Sequence, residues 1–234
     1  MCGVGVGRLV DSSVTVSWRP AVEQHLRLLS GRWVVAVLAA LAQGELHSNE
    51  LLAEINSVGG QRGGRGQVLD HRVLKDTTDR LVGDGWVLRH IDPTPHRSVR
   101  YELTRRGQAL LGALRPLAQW AHVFAEQGEP LTWGQAVEAA VVVLRGRWVL
   151  AVLAALAPGP LRTNELLAEI NSVEREGRAL DARVLKDTTV RLVRDRLLVE
   201  HSPRRGWVRY ELTQRGQALL VALRPLGDQP MVGL

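Results

Sequence analysis

The chain repeats itself. Residues 31–58, GRWVVAVLAALAQGELHSNELLAEINSV, return at 146–173 as GRWVLAVLAALAPGPLRTNELLAEINSV. RVLKDTTDRLV at 72–82 returns as RVLKDTTVRLV at 183–193, and RYELTRRGQALLGALRPL at 100–117 returns as RYELTQRGQALLVALRPL at 209–226. Three blocks in the same order are not a coincidence of composition, and two copies of about 100 residues are each long enough for a core of their own. The offset between the copies falls from 115 to 111 to 109, so the second has lost residues between the blocks, where loops tolerate it. Duplication of a unit that once paired about a two-fold axis is the simplest origin.

Within one copy the hydrophobic spacing orders the elements. Ala21 to Leu29 reads as an amphipathic helix with Val22, Leu26 and Leu29 on one face, and Gly31 ends it. Arg32 to Leu41 is apolar nearly all round, the signature of a buried helix. Ser48 (Thr163 in the second copy) is placed to cap a helix over 49–56. After a Gly-rich stretch at 59–67, replaced by EREGR at 174–178, a helix is expected over 69–82, ended by Gly83 and Gly85. Trp86–Ile91 and Val99–Leu103 read as strands around the turn 92–95, and Thr104 caps a last helix that turns Leu110, Leu111 and Leu114 inward.

Three helices, a β-hairpin and a closing helix describe a winged helix. The runs Gly-Arg-Trp, Asn-Glu-Leu-Leu, Arg-Val-Leu and Arg-Tyr-Glu-Leu-Thr-x-x-Gly-x-x-Leu resemble those of the HxlR-type regulators, relatives of the MarR group. The expected fold is therefore mainly α with small β-hairpin wings. Two tandem winged helix-turn-helix domains, residues 16–127 and 131–226, would form an intrachain pseudo-dimer, with flexible tails at 1–15 and 227–234. The resemblance implies groove helices at 69–82 and 180–193, wings centred on 93–97 and 203–206, and dimerisation through the first and last helices. The last helix can run to Ala125 in the first copy but stops near Leu226 in the second, so either the copies pack asymmetrically as a monomeric pseudo-dimer or a second chain joins as a homodimer.

Duplex DNA is the partner this implies. Arg72, Lys75 and Arg80, with Arg183, Lys186 and Arg191, stand on the groove helices, where they can meet guanine edges or phosphates. Arg97 and Arg100, with Arg204, Arg205 and Arg209, place guanidinium groups on the wings. Arg62 and Arg65 in the Gly-rich stretch either add a phosphate contact or belong to a solvated linker. The net charge of +6 agrees with an anionic partner but is modest for two domains. Lysine occurs only at Lys75 and Lys186, the same position of both groove helices, which reads either as a functional ammonium or as an unaltered copy.

The sequence also departs from the family. Asp70 and Asp181 stand where a small hydroxyl residue is usual, and Asp76, Asp79 and Asp84 leave the first groove helix nearly neutral. Thr77-Thr78 and Thr188-Thr189 replace a common Arg-Leu pair. Thr78 and Thr189 either back-bond to their own helix or line a small polar cavity. Trp18, Trp33, Trp120, Trp133 and Trp148 fall near the first, second and last helices, as interface core or as walls of a pocket for an aromatic small molecule. The alternative function is thus a protein that sequesters such a ligand, its DNA binding weakened or lost.

Other classes find little support. Cys2 is the sole cysteine, which excludes an intramolecular disulfide or a cysteine zinc cluster, and Trp18 and Pro20 stand where some family members carry a sensor thiol. The seven histidines show no metal-ligand spacing. Only His90 and His201 agree between the copies, beside the wings, where a phosphate contact is the simplest role. No catalytic constellation emerges, so no cofactor is expected, and an enzyme built on this scaffold is left as a minor third reading. The longest apolar run, 148–157, is too short to span a membrane, and no signal peptide is evident, so a cytoplasmic protein is expected. The Ala-, Gly- and Arg-rich composition points to a bacterial, GC-rich genome.

Overall fold

In a computed structural model of the chain, the structure describes residues 14–59, 68–91, 98–124, 131–174, 179–204 and 207–229. The first copy runs α1 (Val14–Leu29), α2 (Val34–Leu41), β1 (Leu46–His47), α3 (Ser48–Gly59), α4 (His71–Gly83), β2 (Val87–Ile91), β3 (Val99–Leu103) and α5 (Arg105–Phe124). The second runs α6 (Trp133–Leu144), α7 (Val149–Ala155), β4 (Leu161–Arg162), α8 (Thr163–Val173), α9 (Ala182–Arg194), β5 (Leu198–Arg204), β6 (Trp207–Leu212) and α10 (Gln214–Gly227). The chain is mainly helical with small antiparallel sheets, as a winged helix-turn-helix requires. Each copy has a three-stranded sheet with the second hairpin strand in the centre, ordered β1-β3-β2 and β4-β6-β5.

The buried helices come first because their sequences leave no polar side. α2 buries Val34, Val35, Val37, Leu38, Ala40 and Leu41, and α7 buries every residue from Val149 to Leu153. α4 and α9 bury only a stripe, Leu74, Thr77, Thr78 and Leu81 in one and Leu185, Thr189 and Leu192 in the other, so their opposite faces stay in water.

The Tyr-x-Leu-Thr-x-x-Gly run has a physical reason at each position. Tyr101 and Leu103, like Tyr210 and Leu212, point inward from the central strand and are buried. The Thr104 hydroxyl accepts from the Gly107 N–H at 3.0 Å and donates to the Gly85 carbonyl at 2.8 Å. Thr213 repeats this with Gly216 at 3.1 Å and the Arg196 carbonyl at 2.6 Å. A Cβ on Gly107 or Gly216 would collide with the carbonyl of Trp86 or Leu197, so the helix can start here only on glycine.

Two expected caps move. Neither Ser48 nor Thr163 caps its helix. Glu50 and Glu165 do so instead, accepting from the backbone N–H of His47 and Arg162, each at 2.8 Å. The residue before each helix is still paired in the short strand β1 or β4, so the serine and threonine already lie inside the first turn. α4 and α9 start at His71 and Ala182, two residues later than expected, because Asp70 and Asp181 are their N-caps. α1 begins at Val14, earlier than the 21–29 segment and inside the tail expected at 1–15, and it carries Pro20 within it.

An asparagine pins each α3–α4 or α8–α9 connection. Asn56 donates to the Leu69 carbonyl at 3.0 Å and accepts from the Leu69 N–H at 2.8 Å. Asn171 does the same with Leu180 at 3.1 and 2.7 Å. The clamps span 13 and 9 residues, so a length change between the copies leaves the start of α4 and of α9 in the same frame.

The compact units cut across the repeats. One comprises 24–143 and includes α6, the leading helix of the second copy. The other comprises 144–228 together with the part of α1 up to Glu23. In the first unit Gly134 of α6 approaches α2 so closely that a Cβ there would lie 3.3 Å from the Ala39 methyl. In the second a Cβ on Gly227 would strike the Trp18 side chain.

Candidate nucleic-acid interface

The water-facing side of α4 presents Arg72, Lys75, Asp76 and Asp79, at the three-to-four-residue spacing that keeps them on one stripe. Two cations face two carboxylates. Asp79 is the hub: Lys75 donates to one of its oxygens at 2.6 Å and Arg89 of β2 to the other at 2.9 Å. The hydrogen bond to Lys75 holds the Asp79 carboxyl below its ordinary value, and the same bond raises the Lys75 ammonium.

On α9 the same stripe presents Arg183, Lys186, Asp187, Val190 and Arg194. Three cations face one carboxylate. Val190 replaces Asp79 and is 54% exposed, Glu200 replaces Arg89, and Arg194 stands where the first copy has Gly83. The Arg194 side chain is 77% exposed, with Asp195 only at the 4.0 Å limit of an ion pair. The sequence comparison alone therefore understated the contrast, because it did not show that Asp79 engages both Lys75 and a wing arginine.

Arg80 and Arg191 do not join these stripes. A Cβ on Gly31 would run into the Arg80 guanidinium. Arg191 donates to the Arg145 carbonyl and lies against Gly146, whose φ of +121° suits glycine. Both arginines reach the bend before the buried helix, at Gly31 and Arg145-Gly146. Helical spacing puts them one position round from the exposed stripe, and the carbonyls of a helix-breaking turn lie within reach of a long side chain.

The wings also differ. Arg100 donates to Glu45 at 2.9 Å. Arg209 is exposed and has Pro160 where the first copy has Glu45. His90 and His201 each face a carboxylate across the hairpin, Glu102 and Glu211, at 3.2 Å, so the phosphate contact expected of them meets a competing anion. Arg97 and Arg205 lie outside the described residues, as do Arg62, Arg65 and the turn 92–95; for Arg204 only the backbone, at the end of β5, is described. One feature escaped the sequence reading: Trp207 at the start of β6 is 53% exposed and lies under the Arg162 guanidinium at 4.1 Å. Its counterpart is Ser98, so an indole present in one wing and missing from the other was the available signal.

The five tryptophans divide between the two units. Trp33 and Trp133 share a pocket of about 270 Å³ in the unit 24–143. Trp120 is buried in α5 beside Phe124, with ring centroids 5.9 Å apart. Trp18 and Trp148 belong to the other unit. Thr78 and Thr189 bond back to their own helices. Thr78 donates to the Leu74 and Lys75 carbonyls, each at 3.0 Å, and Thr189 to the Lys186 carbonyl at 3.0 Å. Helix carbonyls so satisfy both hydroxyls at complete burial.

Among the described residues no group of three His, Cys, Asp or Glu side chains is disposed to hold a metal ion, and no helix is long and apolar enough to cross a membrane. Residues 143–230 match the HxlR-like helix-turn-helix family, and residues 48–115 match a DUF3860-like family. An uncharacterised HTH-type transcriptional regulator of Bacillus subtilis is 28% identical over 102 residues, 44% of this chain and 84% of the relative. Another, from Methanothermobacter thermautotrophicus, is 25% identical over 109 residues, 47% of this chain and 75% of the relative. Each match takes in most of the relative and less than half of this chain. The match at 143–230 contains the more cationic helix and the wing with the exposed indole: the chain carries an HxlR-like helix-turn-helix domain at residues 143–230.

Proposed function

We propose that the chain is a DNA-binding transcriptional regulator in which the two copies act as winged helix-turn-helix halves of one covalent pseudo-dimer. The observation that carries the reading is the outer face of α9, where Arg183, Lys186 and Arg194 stand against a single carboxylate on a helix capped by Asp181. A helix of this kind enters the major groove with its first turns against base edges while the wing follows the backbone. Arg183 and Lys186 lie in those first turns, and Arg209 stands on the adjoining wing. The HxlR-like domain and the relatives point to a transcriptional regulator and not to an enzyme. Such a regulator works in the cytoplasm.

The two halves bind unequally. α4 offers its groove face with Lys75 and Arg89 already spent on Asp79, so its half-site contributes less. A pseudo-palindromic site with half-sites about one helical turn apart, roughly 34–36 Å, is expected. The test is fluorescence anisotropy of a labelled duplex with the full chain across a range of salt. The logarithm of affinity should fall linearly with the logarithm of salt, at a slope of about −3 or steeper. No binding at low salt, or a slope near zero, overturns the reading.

A further inference from the structure

The three strands of the second copy lay out one exposed row. Arg162 of β4 is paired with Arg209 of β6, and Arg209 with His201 of β5, so the three side chains share a face of the sheet. Trp207 lies two residues before Arg209 on that face, and Glu211 two residues after it. Arg162, Arg209, His201 and Trp207 are all exposed, whereas Tyr210 and Leu212 alternate to the buried side. The pairing shifts register between His201 and Arg204, an irregularity of the kind that re-aims side chains near a strand end.

The groups of the row divide into two pairs. Glu211 faces His201 at 3.2 Å. The Arg162 guanidinium lies over the Trp207 ring, 4.1 Å from its centroid. With the guanidinium seated there, the indole is still 53% exposed. The pair is thus a braced platform, a ring steadied by a cation and held out to solvent beside a second arginine. The first copy has His47, Arg100, His90 and Ser98 at these places, with Arg100 bonded to Glu45 at 2.9 Å, and so lacks the indole.

We infer that this face of the second wing binds single-stranded DNA, with one base stacked on the Trp207 indole and the flanking phosphates drawn to Arg162 and Arg209. A paired duplex shows only base edges in its grooves, and an indole carries no hydrogen-bond pattern to read them. What a flat ring matches is the open face of an unpaired base, and aromatic side chains set among cations hold single strands in this way, whatever the base. The contact between Arg162 and Trp207 belongs to the site and stays in place when the strand binds. The choice of DNA over RNA rests on the reading of α9, which lies in the same unit; the stacking itself does not depend on α9.

The test is fluorescence anisotropy of the full chain with a labelled oligothymidylate of about 12 nucleotides, compared with an abasic strand of the same length and charge. The thymidylate should bind more tightly than the abasic strand by about tenfold. Trp207→Ala should remove that difference, and Trp207→Phe should retain it. Both strands are single, so a failure of duplex binding by α9 leaves this comparison intact. Absence of binding, equal affinity for the two strands, or a difference that survives Trp207→Ala overturns the proposal. An oligouridylate bound about tenfold more tightly than the thymidylate assigns the face to RNA and overturns it as well.

Discussion

α4 and α9 share the run Arg-Val-Leu-Lys-Asp-Thr-Thr and the same aspartate cap, yet their water-facing sides differ in charge. The whole difference lies in the second half of each helix and in the strand beside it. Asp79 couples Lys75 to Arg89, whereas Val190 couples to nothing charged and leaves Lys186 to the solvent. Two substitutions on the helix, at the positions of Asp79 and Gly83, turn a balanced helix face into a cationic one without touching the buried stripe, while Glu200 in place of Arg89 shifts the adjoining strand the other way. Two helices with the same core can differ in this way because the core and the outer face of an amphipathic helix are nearly independent in energy.

The strongest way to break the comparison is to remove the cations from each helix in turn. Arg183→Ala with Lys186→Ala should weaken duplex binding by about 100-fold and reduce the salt slope by about two. Arg72→Ala with Lys75→Ala should cost less than about tenfold. Equal losses in anisotropy titrations would show that the halves contribute alike. Next in size, Asp79→Val transplants the second copy's residue into the first and releases Lys75 and Arg89. Affinity should rise by about tenfold, and the salt slope should steepen by about one.

The same variant carries a pH signature. The folded Asp79 carboxyl is depressed, so its stabilisation holds above the unfolded carboxylate value and is lost as pH falls through the folded one. Lys75 is raised, so its share holds below the unfolded ammonium value and is lost as pH rises through the folded one. The difference in thermal midpoint between wild type and Asp79→Val should therefore be largest near neutrality and shrink toward both extremes.

Stability sharpens the comparison where the copies agree. Asn56→Ala and Asn171→Ala each remove a two-way clamp and should cost about 1–3 kcal/mol in denaturant titrations, with similar values for both despite the different loop lengths. A clear excess for the longer connection would show that the loop, not the clamp, sets the start of the groove helix. The smallest effect is expected at the bend after each groove helix. Gly85 has φ +73°, and its counterpart Arg196 adopts φ +57° as a non-glycine residue. Arg196→Gly should stabilise the chain by about 1 kcal/mol, and Gly85→Arg should destabilise it by a similar amount, read as shifts of the thermal midpoint.

Much of the fold was legible because it rests on local patterns. The apolar run of α2, the strands of the hairpin and the Thr104 cap each lie within a dozen residues of chain, where periodicity and capping chemistry act. The serine and threonine caps at 48 and 163 were misread because a two-residue strand shifts the helix start, and its partner strand lies more than forty residues away. At the site, Arg72, Lys75, Arg183 and Lys186 are found on exposed faces as helical spacing implies, while Arg80 and Arg191 turn to a distant bend that no spacing rule encodes.

What the sequence by itself determined is the repeat, the order of elements in each copy and the positions at which the copies differ, since these follow from side-chain pattern and backbone preference along the chain. Only the tertiary structure decided which of those differences matter. Asp79 meets Arg89 across a helix and a strand, and Arg19 reaches Glu174 across 155 residues of sequence. The part of α1 up to Glu23 groups with residues 144–228, and α6 up to Val143 groups with residues 24–143. Such contacts depend on where whole elements come to rest against one another, and that is set by the packing of the complete core.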